Sequence, residues 1–255
     1  MAKDNKKYEP SKNSKNVRKL GKPAETGKMV LDYVCSKLGI ESFAKKSVLD
    51  IGCGFRMVRT ILENDMEVGH YTGIELDADL IKYLQNEISD PRFDFLYANQ
   101  KNNYYNPQGG DDFASLNRSL TREYDIITMF SVITHQDPDE ARKTFDFARN
   151  SIASNGWLVF TACIQGEGHA AFEMEGGDKG VLASFPESHL RELKEQADSG
   201  VQYMEWNPEK PGQMSGYAVA YLEEILSETG WSCLSMFPPF DQGVPVQSTF
   251  ICKPD

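Results

Sequence analysis

The sequence predicts an α/β fold: a doubly wound, mostly parallel sheet of seven strands whose last strand runs antiparallel. Three observations predict it. Short apolar runs of strand length recur along the chain, amphipathic stretches of helical period separate them, and glycines or capping residues mark the joints. That alternation is the pattern of stacked βαβ units. With 255 residues, 40% of them apolar and 25% charged, the chain can bury one large core.

The first 28 residues are read as a basic arm, rich in Lys and Asn, that is flexible or folds over the site. The domain proper is placed at 29–255. "MVLDYVCSKLGI" puts Met29, Val30, Tyr33, Val34 and Leu38 on one helical face. "SVLDI" is the first strand, and Met57, Val58, Ile61 and Leu62 stripe the helix after it. "HYTGIEL" is the second strand, followed by a helix carrying Leu80, Ile81, Leu84 and Ile88. "RFDFLY" and "YDIITMF" are the third and fourth strands; such apolar runs suit the buried centre of a parallel sheet. Asp137, Pro138 and Glu140 then give a strong helix start, an N-cap with proline at N1 and an acid at N3. Ala141, Phe145, Ala148 and Ile152 form that helix's stripe, Asn155 and Gly156 end it, and "WLVFTACI" is the fifth strand. From 165 to 215 the alternation stops. This acid-rich segment, with one helix bearing Leu190, Leu193 and Ala197, is read as an inserted lid after strand five. A helix with Val219, Leu222, Ile225 and Leu226 follows, then strands "WSCLSMF" and "QSTFIC".

Composition excludes several classes. A net charge of −11 argues against gripping a phosphate backbone, so no nucleic-acid partner is expected. No apolar run reaches the ~18 residues of a membrane span. The N-terminus lacks a signal peptide's apolar stretch, and the five scattered cysteines form no C-x-x-C pair. Neither a disulfide framework nor a metal site is expected, and a cytoplasmic setting fits.

"VLDIGCGFRMV" carries the functional signal. Asp50 closes an apolar strand, and Gly52 and Gly54 follow before a helix, so the backbone turns sharply at the carboxyl end of the strand, where open α/β sheets bind ligands. A dinucleotide fingerprint needs a third glycine, and its position holds Met57. "LDIGCG" instead resembles the first motif of class I S-adenosylmethionine-dependent methyltransferases of the small-molecule type, a resemblance covering 29–164 and the C-terminal strands. It implies a Rossmann-like sheet and S-adenosyl-L-methionine as cofactor, with Asp50 near the donor's ammonium. The family often has glycine where this chain has Arg56. The resemblance further implies that Glu75 accepts from the ribose hydroxyls, that Leu76 packs on the adenine and that Asn99 meets the adenine amino group, with Gln100 a neighbour of the same chemistry. Phe130, Ser131 and Val132 are the positions it assigns to the methionine end.

Methyl transfer needs alignment and, for an alcohol acceptor, a general base. His135, after strand four, is the leading candidate and His169, in the insertion, the second; His70 and His189 are read as surface residues. Phe172, Tyr203, Trp206 and Tyr217 supply either an aromatic acceptor wall or a small core under the insertion. The expected function is O- or N-methylation of a small molecule. A nicotinamide-dependent oxidoreductase, a protein methyltransferase and a non-catalytic nucleoside binder are the alternatives. Oligomeric state is open, a homodimer among the possibilities. "FSVI" replaces the Asn/Asp-Pro-Pro-aromatic motif of base methyltransferases, so nothing prepares a flipped base.

Overall fold

A computed structural model describes residues 23–110, 113–165, 187–238 and 247–255. The elements run α1 (Pro23–Leu38), β1 (Phe43–Ile51), α2 (Arg56–Glu63), β2 (Val68–Glu75), α3 (Ala78–Glu87), β3 (Phe93–Tyr97), α4 (Phe113–Ser119), β4 (Tyr124–Met129), a 3-10 turn (Ile133–His135) and α5 (Pro138–Arg149). There follow β5 (Ile152–Gln165), α6 (Glu187–Asp198), β6 (Tyr203–Glu205), β7 (Ser215–Ala218), α7 (Val219–Glu228), β8 (Trp231–Phe237) and β9 (Ser248–Pro254).

The strands make one mixed sheet. β3, β2, β1, β4 and β5 lie side by side in parallel, and β9 runs antiparallel between β5 and β8. Those seven strands match the expected sheet. Two more were not expected: the antiparallel pair β6–β7, whose β7 joins the far end of β5 in parallel. β5 is therefore shared, with residues 157–160 on β4, 158–162 on β9 and 163–165 on β7.

Both sheet faces are covered. One apolar cluster joins Leu49, Ile127 and Phe160 to Ala141, Phe145, Leu222 and Ile225 of α5 and α7. The other joins Val48, Tyr71 and Ile126 to Val34, Val58, Ile61, Leu80 and Leu84 of α1–α3. Alternation along a strand sends neighbours to opposite clusters. This is why Val48 and Leu49 part company.

Several boundaries differ from the sequence reading. Helix α1 starts at Pro23, so the end of the expected arm is helical, with proline at a first-turn position where its missing N–H costs nothing. Residues 1–22, the rest of the arm, lie outside the described residues. Helix α5 ends at Arg149, and Asn155 and Gly156 lie inside β5, where the register with β4 shifts, rather than at the helix end. Gly156 fits there because a Cβ would meet Ile152 at 2.6 Å. Within the insertion, the expected helix is α6, with Leu193 buried, and residues 166–186 lie outside the described residues. His70 is buried within β2, not on the surface, its Nε2 3.0 Å from the Asp94 carboxylate.

Candidate active site

The carboxyl ends of β1, β2 and β4, with the loop after β3, enclose a cavity of about 220 Å³. Its apolar lining includes Ile51, Ile74, Leu76, Ala98, Phe113, Phe130 and Val132; its polar lining includes Glu75, Gln100, Lys101, Asn102, Ser131 and His135. A mostly apolar cleft with a few convergent polar groups is the usual form of a small-molecule site.

The floor is the turn after β1. Gly52 has φ +69° and Gly54 φ +50°, a backbone that L side chains rarely adopt. The turn is tied to β2, since Gly52 and Cys53 both donate N–H to the Ile74 carbonyl, at 2.8 and 3.0 Å. A Cβ on Gly52 would lie 2.6 Å from Val132 Cγ2, whereas one on Gly54 would meet nothing within 4 Å. The chain is bare where it faces the cavity and tight where it meets the wall.

Glu75, at the end of β2, is 8% exposed. Its Oε2 accepts from Gly54 N at 3.0 Å, and its Oε1 from Leu76 N at 2.7 Å and Asp77 N at 3.3 Å. Burial raises its pKa, and these three backbone donors pull it back. A carboxylate offers roughly four lone-pair positions, so Glu75 keeps the capacity to accept from a ligand hydroxyl in the cavity it lines.

Asp50 does not line that cavity. It alternates away from Ile51 to the opposite sheet face, where it accepts from Tyr71 Oη at 2.5 Å and Thr128 Oγ1 at 2.7 Å. At 2% exposure, burial pushes its carboxyl up to about 7, against the two hydroxyl donors. Asp50, expected near the ligand's ammonium, is thus a buried carboxyl beneath the glycine turn. Asn99, expected at the adenine amino group, does not line the cavity either. Beyond β3 the chain continues to alternate, so Ala98 and Gln100 face inward and Asn99 is exposed, its Oδ1 accepting from Tyr97 Oη and Asn106 Nδ2. Gln100 is the amide on the wall. Arg56 opens α2 without lining the cavity, and Met57 is buried in the core.

His135 lies at the end of the 3-10 turn, on the cavity wall. Its Nδ1 is 3.0 Å from the Gly212 carbonyl. A carbonyl only accepts, so Nδ1 carries the proton and Nε2 carries the lone pair of the neutral ring. Nε2 is 3.4 Å from the Tyr105 hydroxyl. Tyr104 stacks parallel to the imidazole, with centroids 6.1 Å apart, and Tyr105 meets it edge-on at 5.0 Å. Tyr105 is 45% exposed, and its phenol, held above the ordinary range with Tyr104 and Glu75 nearby, stays a proton donor at neutral pH. The tyrosines are held by a compact loop, in which Asn102 and Asn106 exchange backbone hydrogen bonds and the Asn102 side chain donates to the His135 carbonyl at 2.7 Å.

Sequence reasoning missed Tyr105, Lys101 and Gly212. Gly212 has φ +73°, and a Cβ there would press on Tyr104 and the His135 carbonyl at 3.3–3.4 Å. The Pro-Gly pair Pro211–Gly212 was its only local signal. The other expected residues that line the cavity are Gly52, Gly54, Glu75, Leu76, Phe130, Ser131 and Val132. His169 and Phe172 lie outside the described residues. His189 is half-buried, with Nε2 2.7 Å from the Trp206 carbonyl. Tyr203, Trp206 and Tyr217 do not line the cavity. Trp206 and Tyr217 are fully buried, Tyr217 donates to the Gln136 carbonyl at 2.7 Å, and Tyr217 and Tyr203 join the large apolar cluster on the α5–α7 face.

Among the described residues no group of three or more His, Cys, Asp or Glu side chains gathers as a metal site, and no helix is long and apolar enough to cross a membrane. A family model described as a methyltransferase domain matches residues 6–235. No curated protein matches the chain. Among solved structures, the fold is similar to magnesium protoporphyrin IX methyltransferase from Synechocystis PCC 6803 with bound S-adenosylhomocysteine (TM-score 0.52, 12% identity, 91% of this chain and 83% of that one). It is also similar to an O-methyltransferase of neocarzinostatin biosynthesis in complex with S-adenosylmethionine and a naphthoic acid (TM-score 0.51, 13% identity, 91% of this chain). This chain spans about half, 55%, of that second protein's length. A further neighbour is described as a pericyclic reaction enzyme (TM-score 0.51, 9% identity, covering 87% of this chain and 47% of that one), so the fold by itself does not decide the chemistry.

Proposed function

The chain belongs to the methyltransferase-domain family, and from that premise we propose that it methylates a small-molecule acceptor with S-adenosyl-L-methionine as donor, His135 acting as general base. One observation carries the reading: a single cavity holds a buried carboxylate with acceptor capacity, Glu75, and an imidazole whose basic nitrogen is defined by its partners, His135.

The residues present fit the donor. Glu75 would accept from a ribose hydroxyl. Leu76, Ile74 and Ala98 would flank the adenine, and the Gln100 amide would meet its amino group. The bare floor at Gly54 and the wall at Phe130, Ser131 and Val132 would take the amino-acid end. When bound, the donor supplies an electrophilic methyl group on a positively charged sulfur.

The chain's own task is alignment, exclusion of water and custody of one proton. His135 Nε2 receives the proton of an acceptor hydroxyl while Nδ1–H stays on the Gly212 carbonyl, which holds the ring in one tautomer. Tyr105, already within reach of Nε2, marks where an acceptor hydroxyl would sit and yields that place when one arrives. Amine and protein acceptors are the competing outcomes.

Calorimetry with S-adenosylhomocysteine, followed by transfer assays on hydroxyl, amine and protein acceptors, tests the reading. Glu75→Ala should abolish nucleoside binding. His135→Ala should retain it and lower turnover about 10²- to 10⁴-fold on hydroxyl acceptors. A wild-type protein that ignores the nucleoside overturns the reading.

A further inference from the structure

Ser131 combines a place on the cavity wall with a backbone that side chains avoid: its φ is +58°. For a residue other than glycine this left-handed conformation carries a penalty of roughly 5- to 30-fold in population. The local sequence, "MFSVIT", holds no glycine or asparagine to ease it. What holds it comes from β5 and from the residue just before β9. Ser131 N donates to Thr161 Oγ1 of β5 at 2.9 Å. Thr161 Oγ1 donates in turn to Gln247 Oε1 at 2.6 Å. The Ser131 hydroxyl meets both ends of the same amide, Oε1 at 3.2 Å and Nε2 at 3.1 Å. Gln247 is 5% exposed and Thr161 fully buried, so each of these polar groups depends on the others for its partners.

We propose that Gln247 is a positioning residue for the donor site, holding Ser131 left-handed through Thr161 so that Val132 stays seated against Gly52. The inference rests on the donor assignment above. The amide is suited to the task because it accepts from both hydroxyls and also donates to the Ser131 oxygen, closing a ring that an aliphatic side chain cannot close. β9 puts it there: Ser248 and Thr249, the next two residues, pair with Ala162 and Thr161. Without the ring, Ser131 relaxes to negative φ, the turn after β4 reopens, and Phe130, Ser131 and Val132 leave the cavity wall. The contact at stake is close, since a Cβ on Gly52 would lie 2.6 Å from Val132 Cγ2.

The test uses Gln247→Leu, with Thr161→Val as a second route to the same loss should the first variant fold poorly. Both are read by calorimetry with S-adenosylhomocysteine and by amide hydrogen exchange over residues 130–136. The expected result is a Kd raised about 5- to 30-fold, with faster exchange at Ser131 and Val132. Adding Ser131→Gly, which removes the steric penalty, should return the Kd of Gln247→Leu to within about threefold of wild type. A rise in Kd that glycine fails to recover would mean that Gln247 acts by some route other than Ser131, which overturns the proposal. So does a Kd within about twofold of wild type in both variants. A wild-type protein that does not bind the nucleoside instead overturns the donor reading on which the proposal stands.

Discussion

Glu75 and His135 are held on the cavity wall by backbone partners, and this decides which substitutions are informative. At Glu75, a glutamine would turn an N–H₂ toward one of three backbone donors, so even this close isostere should weaken nucleoside binding. Gly212 supports His135 through its carbonyl while sitting at positive φ. Gly212→Val should therefore lower turnover on hydroxyl acceptors and shift the acid limb of the rate–pH profile, with little change in the Kd for S-adenosylhomocysteine. An unshifted profile would remove Gly212 from the mechanism. Asp50 makes a prediction about stability. Its carboxyl titrates near 3.8 in the unfolded chain and near 7 when folded. Between those values the folded state holds a proton that the unfolded state has lost, so stability falls as pH rises through the window. Asp50→Asn should flatten that slope in urea titrations from pH 4 to 8; an unchanged slope refutes the assignment. At this scale the sequence was legible where a place on the cavity wall follows from position at a strand end, as with Glu75, Gly52 and Gly54. It was not legible where the role is made by tertiary approach: nothing local tells that Tyr105 meets His135, or that alternation persists past β3 to select Gln100 over Asn99.

Elements follow the same division. Helix α5 has the start that its residues announce: the Asp137 side chain accepts from Glu140 N at 2.9 Å, and Glu140 reaches back to Asp137 N. Asp137→Ala should cost about 1 kcal/mol by urea unfolding. Helix α1 began earlier than its apolar stripe, because the stripe reports the buried face and not the cap. Gly27 explains the close fit of that early turn: a Cβ there would lie 2.0 Å from Thr60 Oγ1 and 2.9 Å from the Arg56 carbonyl of α2. Gly27→Val should lower the thermal midpoint through overpacking. β6 and β7 escaped notice because three and four residues, one of them a glycine, are too few to show a period. The cysteines report burial element by element. Cys35 and Cys233 are half-buried and Cys53, Cys163 and Cys252 buried, and the Cys233 thiol is lowered by its neighbour Cys252. Alkylation followed by peptide mass mapping should therefore mark Cys233 first.

Across the whole molecule, the parallel core was legible where strands hold apolar runs and where α1, α2, α3, α5 and α7 carry stripes, so that pattern and packing agree; α4, with Leu116 alone buried, carries no stripe and was not expected. Crowding at β5 was not legible, since nothing in "WLVFTACIQ" says that one strand serves three neighbours. That crowding has a mechanical consequence. Swinging the β6–β7 pair about the sheet would tear the Cys163–Gly216, Ile164–Tyr217 and Gln165–Ala218 pairings and pull Tyr217 from the Gln136 carbonyl, next to the turn that ends in His135. The hairpin is thus a jamb set into the sheet beside the imidazole.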